Sequence, residues 1–441
     1  MFAGTLISDS QSKLQAQLDI AARYGEMYRI TYGAAKTKVT VVGSALDMQY
    51  FSDVRPWHLN KQKVKVTVDN DHLGQIVSGV DQEQKNIELR IEKGRKNLFG
   101  MLGPAFAYKC LLSPVVKFHL FKTYTCPILR SGLATFSLRT EILKPLTIFH
   151  RKTLRGILSL SKNASIPAIH FLLGELPIEA QIHQDVFSLF YSVWRNPDCK
   201  IYQIVKYLMQ NSLSNSRTWS VHLKHLSKRY DIEDPLACLK RDPPPKSYFK
   251  EYIKTKISAY FENELRVLAK SNSKMTYLNV SLNGLRGRRH PALSGLITSK
   301  DVQSARIHLK MLTGDYFTYS IKASQSGGSP NCRCCTPQPP RSEDLLHILI
   351  VCTAYSDIRN RLIPEYQNLC LKTRTPHDFE AIFSQDQELS QFLLDPSSLN
   401  LKVRVSLSDP ILGEFFKLSR DYCNAINTKR MKILRAEEPT Q

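Results

Sequence analysis

Cys332, Cys335, His347 and Cys352 are residue types that bind a soft divalent ion, and they fall within one short stretch, CRCCTPQPPRSEDLLHILIVC. A structural zinc site takes four thiolate or imidazole donors in a tetrahedron, usually two from a tight turn and two from an adjoining helix. Cys332 and Cys335 form a C-x2-C knuckle, so one turn can direct both thiolates at the same ion. His347 and Cys352 are five apart on the following helix, LLHILIVCTAYSDIRNRLI. That spacing leaves them on neighbouring faces, within reach if the helix end adjusts. Pro and polar residues from Thr336 to Leu346 let the chain turn back toward the ion. Cys334 is too close to Cys335 for both to coordinate easily, and it stands as a bystander or an alternative ligand. The loop SQSGGSPNCRCCTPQPPRSED has too little apolar surface to order itself, whereas metal affinity becomes folding energy. Four protein donors leave no open coordination position, so Zn2+ is expected here as a structural ion.

The second chemical signal is charge. The 61 Lys and Arg against 39 Asp and Glu give a formal net charge of +22. Such a surplus attracts phosphate polyanions and makes affinity salt-dependent through counterion release. RNA and DNA are therefore the leading partner class, ahead of an anionic membrane surface. Residues 81 to 160 hold 14 Lys plus Arg and 5 Asp plus Glu, on segments of helical period. A basic helical face suits backbone tracking, and solvated lysines are the plainer alternative. Arg95, Lys96, Arg151, Lys152 and Arg155 are the candidate contacts, to phosphates rather than bases. In GLRGRRHP, Arg286, Arg288, Arg289 and His290 form a Gly-bounded loop that either clamps phosphates or is a soluble turn. His222 and His225 share a helical face but lack a third ligand, and they read as ordinary packed or surface histidines.

These residues need elements to hold them. An apolar share of 42% and a charged share of 23% are ordinary for folded protein, and 441 residues suit several domains. No apolar run approaches the roughly 20 residues of a membrane span, and MFAGTLISDS lacks the features of a signal peptide. The expectation is an intracellular protein, in nucleus or cytoplasm. Ten Cys at this length are too sparse for a disulfide scaffold; Cys110, Cys126, Cys199, Cys238, Cys370 and Cys423 read as small buried hydrophobes.

The expected class is mainly α with a small N-terminal antiparallel β part (α+β), in several domains. Residues 1–80 read as a helix plus short strands. Leu14, Leu18, Ile20, Ala21 and Tyr24 sit at near-helical spacing before an interruption at Gly25, and Val64, Val66 and Val68 alternate. Residues 81–200 form a basic helical domain, 201–323 a helical connecting region, 324–370 the zinc module, and 371–441 a segment with a long amphipathic helix. That helix runs from Asp409 to about Ala436 and ends in a basic turn.

In this order the segments resemble the reverse transcriptase polyprotein of non-LTR retrotransposons, from the end of its palm to its C-terminus. YGEMYRITYGAAKTKVTVVGS is similar to the segment after the catalytic hairpin, with Lys36, Thr37 and Lys38 at its Lys-Thr-Lys element. HLGQIVSG resembles the strand beneath the primer grip. FHRKTLRGILSLSKNASIPAIHFLLGELPIEAQI resembles the thumb and the region just after it, with the Gly-x-Leu-Pro turn at Gly174, Leu176 and Pro177. The Cys332, Cys335, His347, Cys352 pattern resembles the family's closing CCHC motif. The resemblance implies a palm remnant in residues 1–80, a thumb in 81–200, an ancestry in RNA-directed DNA polymerisation, and possible partnership with other retroelement proteins.

Polymerisation requires carboxylates that hold two Mg2+ ions. Where the family has its Asp-Asp pair, Phe2-Ala3-Gly4-Thr5 carries Gly and Thr, and the strand with the earlier Asp would lie upstream of Met1. Asp9 fits a helix N-cap better than a metal site. Mg2+ is thus expected only in an intact family member, no residue here is assigned as catalytic, and the chain is expected to be inactive alone. Two other readings stand beside this one: a non-enzymatic zinc-stabilised RNA- or DNA-binding protein, and a helical scaffold for protein partners.

Overall fold

The computed structural model describes residues 5–42, 50, 56–106, 112–213, 216–280, 285, 287–335, 340–372, 380–399 and 410–437. Phe2 to Gly4, Cys110, Arg286, residues 336–339 and Asp409 lie outside these. The fold is mainly helical with a few small sheets. Two compact units divide the chain: residues 1–90 with 136–142, and residues 91–135 with 143–441.

In the first unit, helix α1 (Gln11–Tyr28) is capped by Ser10, whose side chain accepts from the Lys13 N–H. Asp9 is therefore not the cap; it pairs with Lys13 Nζ at 3.0 Å. The helix passes through Gly25 and ends at Arg29 in the left-handed region. Its core-facing seam is buried Leu18 with partly buried Leu14 and Ala22, which pack with Trp57 and Leu59. Ile20, at 58% exposure, and Tyr24, at 49%, lie off this face. The reason is angular: Ile20 stands about 200° around the helix from Leu18.

The expected antiparallel sheet is instead three separate pairs, one of them parallel. Strands β1 (Lys38–Val39) and β4 (Lys65–Val66) run parallel; β2 (His58–Leu59) with β3 (Gln62–Lys63), and β5 (Asp69–His72) with β6 (Gln75–Ser78), are antiparallel. Alternation in KVKVTVDN signalled extended chain but not which strand it would meet, and Val64, fully buried, gives way to an exposed Val68. Two amide side chains complete these short strands. Gln15 donates to the His58 carbonyl at 2.8 Å and accepts from its N–H at 2.9 Å. Asn86, fully buried, does the same for Ile76 at 2.7 and 3.0 Å.

The second unit takes up helix α2 (Gln82–Phe106) from Ile91 and continues with α3 (Pro114–Leu120), α4 (Cys126–Arg130) and, from Leu143, α5 (Thr140–Leu158). An aromatic core follows. Phe187, Phe190, Tyr191 and Trp194 of α7 (Ile178–Trp194) pack with α6 (Ile166–Leu173), α8 (Lys200–Asn211), α9 (Trp219–Arg229) and α10 (Lys246–Lys270). Tyr191 stacks on Phe249 with centroids 5.1 Å apart. The polar tips of Trp194, Tyr191 and Tyr202 donate to the carbonyls of Arg241, Pro244 and Leu239, which fixes the proline-rich loop before α10.

A further group holds α11 (Ser299–Leu312), α12 (Tyr319–Ser326), α13 (Ser356–Leu371), α14 (Asp386–Leu394) and α15 (Pro410–Glu437). The last matches the long amphipathic helix expected, with Leu412, Phe415, Tyr422 and Ile426 buried. Its basic end departs from expectation in one residue. Arg430 is 2% exposed and points inward.

The Gly-x-Leu-Pro turn is a docking point. Gly174 has φ +62°, and the backbone of the arginine loop lies directly against it. Gly287 N–H donates to the Gly174 carbonyl at 3.0 Å, and His290 N–H to that of Leu172 at 2.9 Å. A Cβ on Gly174 would fall 2.3 Å from the Arg288 carbonyl oxygen.

Candidate metal centre

The knuckle is built by backbone pairing. Cys332 N–H donates to the Arg341 carbonyl at 2.9 Å and Glu343 N–H to that of Pro330 at 2.8 Å, which closes an antiparallel turn at Asn331 and Ser342. The helix after it begins where the Asp344 side chain accepts from His347 N–H at 2.7 Å. A single helix over LLHILIVCTAYSDIRNRLI does not form. His347–Val351 is a π-helical turn, closed by Cys352 N–H to the His347 carbonyl at 2.7 Å, and α13 starts only at Ser356. In an α-helix, residues five apart diverge by about 140°. The wider turn returns Cys352 toward His347, which is the adjustment the spacing required.

Sγ of Cys332, Cys335 and Cys352 and a ring nitrogen of His347 all lie within 4.8 Å of one another. Cys332 Sγ is 3.9 Å from Cys352 Sγ, and Cys335 Sγ is 3.4 Å from His347 Nε2. A tetrahedral ion bonded at about 2.3 Å to sulfur and 2.0 Å to nitrogen has donor-to-donor edges of roughly 3.5–3.8 Å. The two edges of 3.9 and 3.4 Å lie close to these values, and the four residues could hold a metal ion with protein donors alone. Cys352 is fully buried and His347 is 5% exposed, while Cys332 and Cys335 are half-buried. The other cysteines behave as read, with Cys126, Cys238, Cys370 and Cys423 buried, except that Cys199 is exposed.

Beneath the knuckle lies a buried ion pair with no signal in the local sequence. Glu343, fully buried, is bonded to Arg430 Nη2 and accepts from Tyr319 N–H at 3.1 Å. Burial pushes the Glu343 carboxyl up, and Arg430 opposes that shift. The Arg430 guanidinium also faces the rings of Tyr316, Phe317 and Tyr319 at 5.5 to 5.9 Å. On the outer side, Arg333 lies 4.7 Å from the Tyr319 ring centroid, and Phe317 is 52% exposed.

No profile of a protein family, no curated protein and no solved structure matches this chain. The site has to be read from its own residues.

The candidate phosphate contacts divide sharply. Arg95 and Lys152 are exposed, with no hydrogen bond or ion pair among the described residues. Lys96 is exposed and paired with Glu92. Arg151 is half-buried, its guanidinium pKa lowered by burial and then by Arg155. Arg155 is a structural residue: Nε and Nη2 both donate to the Ala164 carbonyl, at 3.1 and 2.9 Å, and fasten the turn after α5. Further positive charges of residues 81–160 are engaged internally, Lys85 by Asp69, Arg90 by the Gly74 carbonyl, Lys122 by Glu175 and Arg130 by Asp185. Arg288 and Arg289 are exposed, and His290 is buried.

His290, Asp395 and Ser397 resemble a hydrolytic triad in composition only. They are 0 to 1% exposed, so no substrate reaches them. Asp395 accepts from Asn279 N–H at 2.9 Å and lies 3.4 Å from His290 Nε2. Burial would raise its pKa, but the His290 contact and these hydrogen bonds outweigh it and hold the carboxyl below its ordinary value. The group ties chain segments together. His222 sits edge-on to His183 at 6.0 Å, while His225 is exposed. No helix among the described residues is long and apolar enough to cross a membrane.

Proposed function

We propose that the chain binds RNA or DNA through backbone contacts, with its C-terminal module organised by a structural Zn2+, and that it is the C-terminal part of a non-LTR retrotransposon reverse transcriptase without polymerase activity of its own. The observation that carries the proposal is the convergence of Cys332, Cys335, His347 and Cys352, whose donor atoms all lie within 4.8 Å of one another. Three thiolates and an imidazole favour zinc over harder ions. The ion would hold a knuckle whose exposed side carries Arg333 over Tyr319, beside Phe317. Cations next to aromatic faces suit phosphates next to unstacked bases. The net charge of +22 supports the same partner class. Retroelement ancestry is supported by the order of the sequence segments, and inactivity by Gly4 and Thr5 where paired carboxylates are needed.

Fluorescence anisotropy on single-stranded RNA, structured RNA and duplex DNA at increasing salt tests the binding. A steep fall in affinity with log salt is expected, at nearly one unit of slope per phosphate neutralised. A flat salt response, or no binding, would overturn it. Primer extension with Mg2+ or Mn2+ tests the inactivity; templated incorporation above background would refute it. Zinc bound to the purified chain and lost from a Cys335→Ser, His347→Ala variant is the third expectation, and equal zinc in both ends the assignment. A protein-docking role has one observation in its favour: Ile201, Ile204 and Tyr207 leave a face of α8 56 to 63% exposed.

A further inference from the structure

Two metal-binding groups remain once the first ion has its four donors. Cys332, Cys334 and Glu343 each place one donor atom within 4.8 Å of the others. This second set shares Cys332 with the first and uses Cys334, which spacing reads as a bystander or an alternative ligand. Glu343 is fully buried, and only its Oε1 is engaged, by Arg430 and Tyr319 N–H. Its Oε2 is buried without a hydrogen-bond partner among the described residues. One oxygen of this carboxylate lies within 4.8 Å of both sulfurs, and Arg430 serves only Oε1, so a cation at the cluster would give the dry carboxylate the partner it lacks.

Charge points the same way. One divalent ion with three thiolates, the Glu343 carboxylate and the Arg430 guanidinium leaves one negative charge in a largely buried place. A second divalent ion with Cys334 as thiolate brings the group to neutrality. A thiolate sulfur has lone pairs for two metals, so Cys332 can bridge them. We propose that the module holds a second ion of the zinc class, bridged to the first by Cys332 Sγ and bound by Cys334 Sγ and a Glu343 carboxylate oxygen. On loading, the Cys334 S–H bond breaks, an S–metal bond forms, and the proton leaves to solvent. Three protein donors leave this ion one position for water. The inference rests on the structural zinc only through the shared Cys332.

Native mass spectrometry of the full chain purified with zinc tests it. The expected masses correspond to two ions in the wild type and one in Cys334→Ser. One ion in both proteins would overturn the second site and leave the first standing. No ion in the wild type would overturn both. Two ions in both would place the second ion elsewhere and overturn the proposal. Should Cys334→Ser fail to fold, alkylation of the wild type decides. Cys334 should react with iodoacetamide at least about tenfold more slowly in the zinc-loaded chain than after chelation, because a metal-bound thiolate is a poor nucleophile. Equal rates, with the first zinc retained in the loaded sample, would overturn the bridge.

Discussion

Replacing Gly174 with alanine should undo the docking of the arginine loop. Two effects add at this position. An L-residue at φ +62° pays the left-handed penalty, roughly 1–2 kcal/mol. The new Cβ would also stand 2.3 Å from the Arg288 carbonyl oxygen, 2.6 Å from its carbon and 2.9 Å from its nitrogen. All three are backbone atoms, so no side-chain rotation relieves the overlap and the loop must withdraw. Withdrawal breaks the bonds from Gly287 N–H to Gly174 and from His290 N–H to Leu172, at about 1 kcal/mol each. The total is roughly 3–4 kcal/mol. Urea unfolding should show that loss, and trypsin should cut after Arg288 and Arg289 several times faster. Gly100→Ala is the control: it lies in α2 with nothing within 4 Å of an added Cβ, and should be neutral or stabilising by up to about 1 kcal/mol. A Gly174→Ala loss below about 1 kcal/mol with unchanged cleavage would refute the close-approach argument.

Arg155→Ala should lower stability by about 1–3 kcal/mol, through the two lost bonds to Ala164, and leave salt-dependent binding of the folded protein unchanged. Arg95→Ala with Lys152→Ala should do the reverse, weakening binding to every sequence alike without moving the unfolding midpoint; anisotropy and denaturation on the same samples separate the two. His170 and His183 are buried, and burial lowers them to about 4 and about 3 respectively. Both folded and unfolded forms are neutral well above pH 6.5, so this stability is intact there and is lost as pH falls from about 6.5 toward 4 for His170 and toward 3 for His183. Ring resonances of His170 that titrate near pH 6.5 in the native protein would disprove it. With zinc limited to one ion per chain, so that none holds the Glu343 carboxylate, Arg430→Met should destabilise by roughly 3–5 kcal/mol by stranding Glu343, and Glu343→Leu added to it should recover most of that. Simple additivity of the two losses would contradict a buried pair.

Local chemistry was legible in the sequence wherever spacing alone decided it. Cys332 and Cys335 needed only a turn to meet, and the amphipathic pattern of α15 needed only a core. The seam of α1 was read less well, because Leu18 and Ile20 are equally apolar and only the position of Trp57 selects between them. Arg430 is beyond local reading: Lys429 and Lys432 beside it are of the same kind, and its partner Glu343 lies 87 residues earlier. The structural bond of Arg155 is hidden from the sequence for a related reason. A positive charge on a helix looks like a phosphate contact until the Ala164 carbonyl appears within its reach.

The π-helical turn at His347–Val351 makes the metal module sensitive to counting. Ile348 and Leu349 are fully buried on this turn, and the Leu349 carbonyl accepts from Tyr422, so the core fixes the rotational phase of the segment. Deleting one residue between His347 and Cys352 would permit an ordinary i→i+4 closure and keep the two ligands adjacent. It would also turn every later side chain by about 100° against that core. The extra residue is therefore tolerated as a bulge: packing on one side of the turn fixes its phase, and the wider turn lets Cys352 come back beside His347 on the other.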